Sequence, residues 1–164
     1  MSGILCAVRG GLESRATITQ AIDLAQTTGL PVQFVYVLDE ELVPGTGSER
    51  ARAVANQVRQ MGESVLFAAQ ALANAQGVLA HGAARQGNVE DEIASACREL
   101  GAEYLVLNRS REGIDGRSSP ISAQFAERIR KQAGTEIIWS ESPVGKSVEY
   151  VRGSAKEGKP CSSP

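Results

Sequence analysis

Aromatic residues and histidine are scarce in this sequence. Phenylalanine, tryptophan and tyrosine make up 4% of the 164 residues, too few for the stacking platforms that hold single-stranded nucleic acids. The net charge is −2, so no basic field attracts nucleic acid or a membrane surface. The lone histidine, His81, has no partner at metal-ligand spacing. We therefore expect no nucleic acid, membrane or metal among the partners.

Long hydrophobic runs and paired cysteines are also missing. No apolar run approaches the roughly 20 residues that cross a bilayer, and the first residues lead into a strand-like run without a basic leader. Cys6, Cys97 and Cys161 share no metal-ligand spacing and are predicted to be free thiols. Together these features predict a cytoplasmic protein.

Strand patterns alternate with helix patterns along the chain. Apolar runs predict strands at 4–8, 32–38, 78–84, 104–107 and 135–139, the uninterrupted ones being typical of strands buried on both faces. Apolar spacings of three and four predict helices at 12–28, about 49–75, 89–100 and about 120–133. Each right-handed crossover must pack back onto the sheet. The sequence therefore predicts a single doubly wound α/β domain over residues 1–142, with a five-stranded parallel sheet and helices on both faces. Residues 143–164, rich in serine, proline, glycine and lysine, are expected to form a flexible C-terminal extension.

The helix predicted at 49–75 carries apolar residues at alternating steps of three and four. They are Ala51, Val54, Val58, Met61, Val65, Ala68, Leu72 and Ala75. This spacing is also found in coiled coils. Because many of the residues are alanine, we predict instead that the seam lies on the sheet, with Met61 in the core.

Arginine, serine and glycine follow the predicted strands at one edge of the sheet. Open α/β sheets bind ligands just outside the carboxyl ends of their strands, and guanidinium groups beside helix N-termini suit anions. The candidate ligand-binding residues are Arg9, Gly10, Gly11, Asn108, Arg109, Ser110, Arg111, Gly113, Gly116, Ser118 and Ser119. Arg85, after the third strand, falls at the same edge. Surface arginines can equally pair with nearby acids, and that alternative stays open.

Three segments resemble the universal stress protein family. They are ILCAVRGGLESRATITQAIDLAQTTGLPVQFVYVL, GNVEDEIASACRELGAEYLVLNRS and AQFAERIRKQAGTEIIWS, and the resemblance covers about residues 3–140. It implies a Rossmann-like fold of the adenine nucleotide alpha hydrolase type and a non-catalytic, regulatory role in the stress response. It also implies a homodimer paired through the last strand. Ile137, Ile138 and Trp139 are the candidate interface residues, because an apolar edge strand should not be left open to solvent.

The sequence departs from the family's ATP-binding pattern at several positions. Members that bind ATP carry an acidic residue after the first strand, where this chain has Arg9. Their G-x-x-G motif corresponds to Asn108 and Arg111, and the later G-Ser or G-Thr to Ala123-Gln124. Side chains at these places obstruct the close approach of backbone to phosphate. We therefore expect no ATP binding in the family's usual way and no resident cofactor. Another anionic small molecule, or a different nucleotide, is the candidate ligand.

A second resemblance gives an alternative function. Arg9-Gly10-Gly11-Leu12-Glu13-Ser14 is similar to the S-G-G-x-D-S loop of PP-loop ATP pyrophosphatases, with two mismatches in six residues. The alternative is a nucleotide-binding enzyme, hydrolysing ATP or acting as a PP-loop-like pyrophosphatase, through residues 10–14 and 109–119. No nucleophile, base and orienting group can be assembled from the sequence, however, so we expect no enzymatic activity.

Overall fold

The computed structural model describes residues 2–8, 12–39, 48–108 and 123–140 of the 164-residue chain. Within those ranges five strands alternate with four helices. They are β1 (Gly3–Val8), α1 (Leu12–Thr28), β2 (Val32–Asp39), α2 (Glu49–Ala75), β3 (Ala80–Gly87), α3 (Val89–Leu100), β4 (Ala102–Asn108), α4 (Ala123–Ala133) and β5 (Glu136–Ser140). The strands form one parallel sheet in the order β3-β2-β1-β4-β5. The predicted doubly wound α/β architecture is confirmed. The predicted C-terminal extension, 143–164, lies outside the described residues.

The helices cover both faces of the sheet. Ile22 of α1 and Leu66 of α2 pack with Phe34 of β2 in one core cluster. On the opposite face Ile93 of α3 and Phe125 of α4 lie in a second cluster. Because both faces of β1, β2 and β4 are covered, these strands read as uninterrupted apolar runs in the sequence. None of the described helices is both long enough and apolar enough to cross a membrane.

Local capping chemistry fixes the ends of two helices. The Ser48 side chain accepts a hydrogen bond from the Ala51 amide at 3.1 Å, and Asn88 Oδ1 accepts one from the Asp91 amide at 3.2 Å. Each bond satisfies an amide that has no partner within its own helix. Gly101 ends α3 with φ +63°, a backbone conformation that glycine adopts without strain. The helix starts predicted at about residue 49 and at residue 89 are confirmed.

The third strand is displaced from its predicted position. The sequence predicted residues 78–84, whereas β3 spans Ala80–Gly87. Val78 is buried but precedes the strand, and most of β3 is exposed or half-buried at one edge of the described sheet. His81 is exposed on this strand. An edge strand with small residues leaves no continuous apolar run in the sequence, which explains the error.

The prediction that the whole apolar seam of α2 lies on the sheet is wrong. The helix buries a different set: Ala51, Gly62, Leu66, Ala69 and Ala73. Val54, Met61 and Leu72 are 41%, 58% and 45% exposed. The helix meets the sheet through Gly62, where an added Cβ would lie 2.4 Å from Tyr36 Cδ1. The absent side chain brings this side of the helix onto β2 and turns much of the seam toward solvent.

Candidate functional site

The topological switch point of the sheet lies between β1 and β4. From β1 the chain continues outward on one side through β2 and β3, and on the other side through β4 and β5. In open α/β sheets this crevice, at the carboxyl ends of the strands, is the usual ligand site. A cavity occurs here, walled mainly by apolar residues of β1, β2, α3 and β4, with Ser14, Thr17 and Asn108 as its polar members.

This cavity is small. Its volume is about 40 Å³, whereas sites for small organic ligands are typically about 300–1,000 Å³. A volume of this size holds one or a few water molecules. The described walls therefore enclose space for water.

Two buried hydroxyl groups close the side of the crevice nearest β5. Thr17 Oγ1 and Ser140 Oγ are 2.7 Å apart, and Ser140 Oγ lies 3.4 Å from the Leu107 carbonyl oxygen. A serine hydroxyl has one proton, so Ser140 donates to Leu107 and Thr17 donates to Ser140. The chain of bonds joins α1 to β4 and β5. The Thr17 hydroxyl therefore has a structural role in this hydrogen-bond chain.

Arg85 pairs with acids of α3. Its Nη1 lies 3.5 Å from Glu92 Oε2 and donates to the Glu92 backbone carbonyl at 3.2 Å, and its Nη2 bonds Glu99 Oε2. The hydrogen bond that Arg85 donates to Glu99 raises the pKa of Arg85 and lowers the pKa of Glu99. Of the two readings left open for this arginine, the structure shows the ion pair with neighbouring acids.

Asn108 is the one predicted site residue that the described ranges include. It ends β4 and lines the cavity. Residues 9–11 follow β1 and residues 109–122 follow β4, and these two strands are paired neighbours. The other predicted residues lie outside the described part of the chain, so their geometry stays a prediction: Arg9, Gly10, Gly11, Arg109, Ser110, Arg111, Gly113, Gly116, Ser118 and Ser119.

Thr17 lines the cavity although no sequence pattern led us to predict it, and Ser14, which also lines it, was predicted only through the resemblance to the PP-loop. A signal was present, because Ser14 and Thr17 lie seven and four residues before Ala21, on the buried side of α1. A hydroxyl in the apolar phase of a helix beside the first strand indicates a buried polar contact. Ile93 and Val37 of the cavity wall carry no such signal, since core residues and pocket residues look alike in sequence.

A second hollow lies on the α2 side of the sheet, at the carboxyl ends of β2 and β3. Its volume is about 310 Å³, and Tyr36, Arg59, Glu63 and Gln86 are among its lining residues. Arg59 Nη2 donates to Gln86 Oε1 at 3.2 Å. Arg59 and Glu63 carry opposite charges one helical turn apart. Arg85 also lines the hollow and is already paired with Glu92 and Glu99 of α3. Within the described ranges no cluster of three histidine, cysteine, aspartate or glutamate residues could hold a metal ion.

The fold and the position of its cavity define a doubly wound α/β domain with a small cavity at its switch point. The model of the universal stress protein family matches residues 1–133, most of the 164-residue chain. The chain belongs to the universal stress protein family. The resemblance drawn from its sequence is confirmed.

Solved structures of this family share the fold. A universal stress protein from Burkholderia pseudomallei is 24% identical, with TM-score 0.61, over 83% of this chain and 92% of that one. UspA from Lactobacillus plantarum is 13% identical, with TM-score 0.66, over 84% and 96%. A universal stress protein from Archaeoglobus fulgidus, in complex with dAMP, is 17% identical, with TM-score 0.55, over 85% and 97%. A comparison with curated proteins found no significant match.

Proposed function

We propose that this chain is a non-catalytic regulatory domain of the stress response that does not bind ATP in the manner usual for its family. The observation that carries the proposal is the small, mainly apolar cavity of about 40 Å³ at the switch point. The sequence supports it, because Arg9 replaces the family's acidic residue and Asn108 and Arg111 replace glycines of its phosphate-binding loop. Arginine lacks the acceptor that an adenosine hydroxyl or amino group would need.

The ligand that suits the remaining chemistry is a small anion. Arginines occur in both segments that follow the paired strands β1 and β4, and the second segment adds serines and glycines. The first of these segments, residues 9–11, also leads into the N-terminus of α1, where backbone amides are free to meet a negative group. Such a site would take phosphate or a small carboxylate without needing a pocket for a base.

Nucleotides other than ATP are the nearest competing ligands. Related structures contain dAMP, cAMP or AMP, in proteins 13–17% identical to this chain. At that sequence identity the structural similarity supports a shared fold but not a shared ligand. Nucleoside monophosphates therefore belong in any binding experiment.

Mass spectrometry of the native protein and thermal unfolding together test the ligand. Phosphate should raise the melting temperature of the wild type, and the gain should vanish in an Arg109→Ala/Arg111→Ala variant. The matched control is Arg130→Ala, an exposed residue of α4 that should keep the full gain. An adenosine triphosphate retained through purification would contradict the proposal.

A turnover assay with radiolabelled ATP distinguishes the proposed non-catalytic domain from the alternative of a nucleotide-hydrolysing enzyme. We expect none above the buffer blank, since the described residues supply no nucleophile with an adjacent base. Turnover that disappears in Gly11→Val would instead establish a nucleotide-hydrolysing enzyme.

The proposal includes a homodimer paired through β5. This strand is at an edge of the described sheet, and a bare edge invites pairing with another copy. Ile137 and Ile138 are 1% and 5% exposed, in the two core clusters of their own protomer. A partner would therefore meet the strand's backbone and the half-buried Trp139 rather than these isoleucines.

Light scattering at micromolar concentration should give twice the chain mass. Amide hydrogen exchange of residues 136–140 should slow as the protein concentration rises, because pairing covers the outer edge of β5. A monomer, or exchange independent of concentration, would contradict pairing through β5.

A further inference from the structure

The hollow between α2 and the carboxyl ends of β2 and β3 is separate from the cavity at the switch point. Tyr36 and Leu38 of β2 line the hollow. Val35 and Val37, which alternate with them, line the switch-point cavity instead. Because successive side chains of a strand point to opposite faces, the two spaces lie on opposite faces of the sheet. The hollow, at about 310 Å³, is also the larger of the two and reaches the size range of small-molecule sites, about 300–1,000 Å³.

The β-strand side of the hollow is largely apolar. Leu38 is buried in the sheet, and the partly buried Tyr36 packs against the core cluster of this face. Ala84 of β3 lines the hollow next to them, and its methyl group is too small to fill the space between β3 and α2. This side of the hollow therefore suits an apolar group of moderate size.

The helix side of the hollow carries two opposite charges. Arg59 and Glu63 both line it, and their Cβ atoms are about 5–6 Å apart, as is usual for residues one helical turn apart. Among the residues that the structure describes, neither side chain forms an ion pair. The order Arg before Glu along a helix is the less favourable one for such a pair. Both charges therefore remain available to a ligand.

Hydrogen bonding orients the donors of the hollow. Gln86 Oε1 accepts a hydrogen bond from Arg59 Nη2, so the Gln86 amide group presents its NH₂ to other acceptors. Arg59 keeps the hydrogens of Nε and Nη1, since a guanidinium group has five in all. A carboxylate can accept from both residues at once. The Glu63 carboxylate has only acceptors, which suit an ammonium group.

We propose that this hollow binds a free α-amino acid with an apolar side chain. The carboxylate of the amino acid accepts hydrogen bonds from Arg59 and Gln86, and its ammonium group donates to Glu63. Its side chain lies against Tyr36 and Leu38. A simple anion would be repelled by Glu63 and a simple cation by Arg59, whereas a zwitterion is attracted by both. The site shares no residue with the proposed anion site, so the inference goes beyond the proposed function.

Nuclear magnetic resonance titration of the ¹⁵N-labelled full chain tests the site. The probes are leucine, isoleucine, valine, methionine and phenylalanine, each as the free L-amino acid. At least one should bind saturably at up to millimolar concentration and shift the amide signals of Glu63, Ala84 and Gln86. No saturable shift with any of the five, or shifts that leave these three amides unchanged, would overturn the proposal.

Analogues of the tightest-binding amino acid test the chemistry of the ligand. The first analogue is the carboxylic acid that lacks the amino group, and the second is the amine that lacks the carboxylate. Each should bind about tenfold or more weakly than the amino acid, because each loses one charged hydrogen-bonded contact. Equal binding of the acid would show an anion site, and equal binding of the amine would show a cation site. Either result would overturn the proposal.

Substitution of the two charged residues gives a third test. Arg59→Gln and Glu63→Gln should each weaken binding about tenfold or more, and both should stay folded because the two side chains are exposed. The control is Gln57→Ala, at an exposed position of α2 that does not line the hollow, and it should bind as the wild type does. Wild-type affinity in either charge variant would overturn the proposal. The phosphate response that depends on Arg109 and Arg111 is measured separately, so this failure would leave the proposed regulatory function untouched.

Discussion

Replacing Gly62 by alanine should destabilise the protein, although the same change in most helices is stabilising. Alanine is about 1 kcal/mol better than glycine inside a helix. Here, however, the new Cβ would lie 2.4, 2.5 and 2.9 Å from Cδ1, Cε1 and Cγ of the Tyr36 ring. Because Cγ, the ring atom attached to the Tyr36 Cβ, is also in close contact, a small movement of the outer part of the ring cannot relieve the clash. Therefore α2 or β2 must shift. Overpacking of this kind costs about 1–3 kcal/mol.

The gain in helix propensity and the larger cost of overpacking together predict that Gly62→Ala lowers the free energy of unfolding by about 1 kcal/mol. This corresponds to about 2–4 °C in melting temperature. Urea unfolding followed by circular dichroism measures it. The difference between Gln60→Ala and Gln60→Gly, at an exposed position of the same helix, calibrates the helix-propensity term.

A double-mutant cycle isolates the contact with the ring. In a Tyr36→Leu background, Gly62→Ala should become neutral or stabilising, because the ring atoms that met the Cβ are gone. Gly62→Ala could instead raise the free energy of unfolding by the difference measured between Gln60→Ala and Gln60→Gly. In that case the helix does not pack closely on Tyr36 at this position, and the reasoning fails.

Three further changes test other parts of the structure. Asn88→Ala should cost about 1 kcal/mol, because it removes the side-chain acceptor of the Asp91 amide in the first turn of α3, whereas Asn88→Asp should cost little; urea unfolding distinguishes them. Glu99→Gln should lower stability at neutral pH, and this loss should shrink as the pH falls from the ordinary pKa of glutamate through the lower pKa that Arg85 gives Glu99 in the folded protein; a loss that stays the same over the acid range would show that the ion pair is not the cause. Burial raises the pKa of the Cys6 thiol and raises that of Cys97 to about 12, so a Cys161→Ser variant should react with a thiol reagent only as fast as it unfolds, and rapid labelling of the native protein would contradict their burial.

The architecture could be predicted from the sequence because burial on both faces leaves a simple mark. The apolar run that became β1 has no polar alternation, and the caps at Ser48 and Asn88 depend on residues three positions away. Helix caps and the apolar runs of strands buried on both faces can be recognised in the sequence without knowledge of the tertiary structure. The edge strand β3 lacks them, since only some of its side chains are buried, and its bounds were accordingly misplaced.

The orientation of α2 could not be predicted because the helix is apolar on most of its circumference. Alanines occur on its buried side, as at Ala69, and on its exposed side, as at Ala68. Periodicity alone cannot choose between two apolar sides, and the choice was made by Gly62 fitting over Tyr36, a tertiary contact. For the candidate site, the sequence predicts ligand binding at the carboxyl edge of the sheet, where the structure has a cavity beside Asn108. The size of that cavity could not be predicted, because it depends on how the strands and helices pack around it.

Calorimetric titration of the ligand-free protein with Mg²⁺–ATP tests the central claim most directly. The small cavity beside Asn108 predicts no saturable heat of binding up to millimolar ATP, under conditions in which a parallel thermal scan shows the protein folded. One-to-one binding at micromolar concentration would contradict the account.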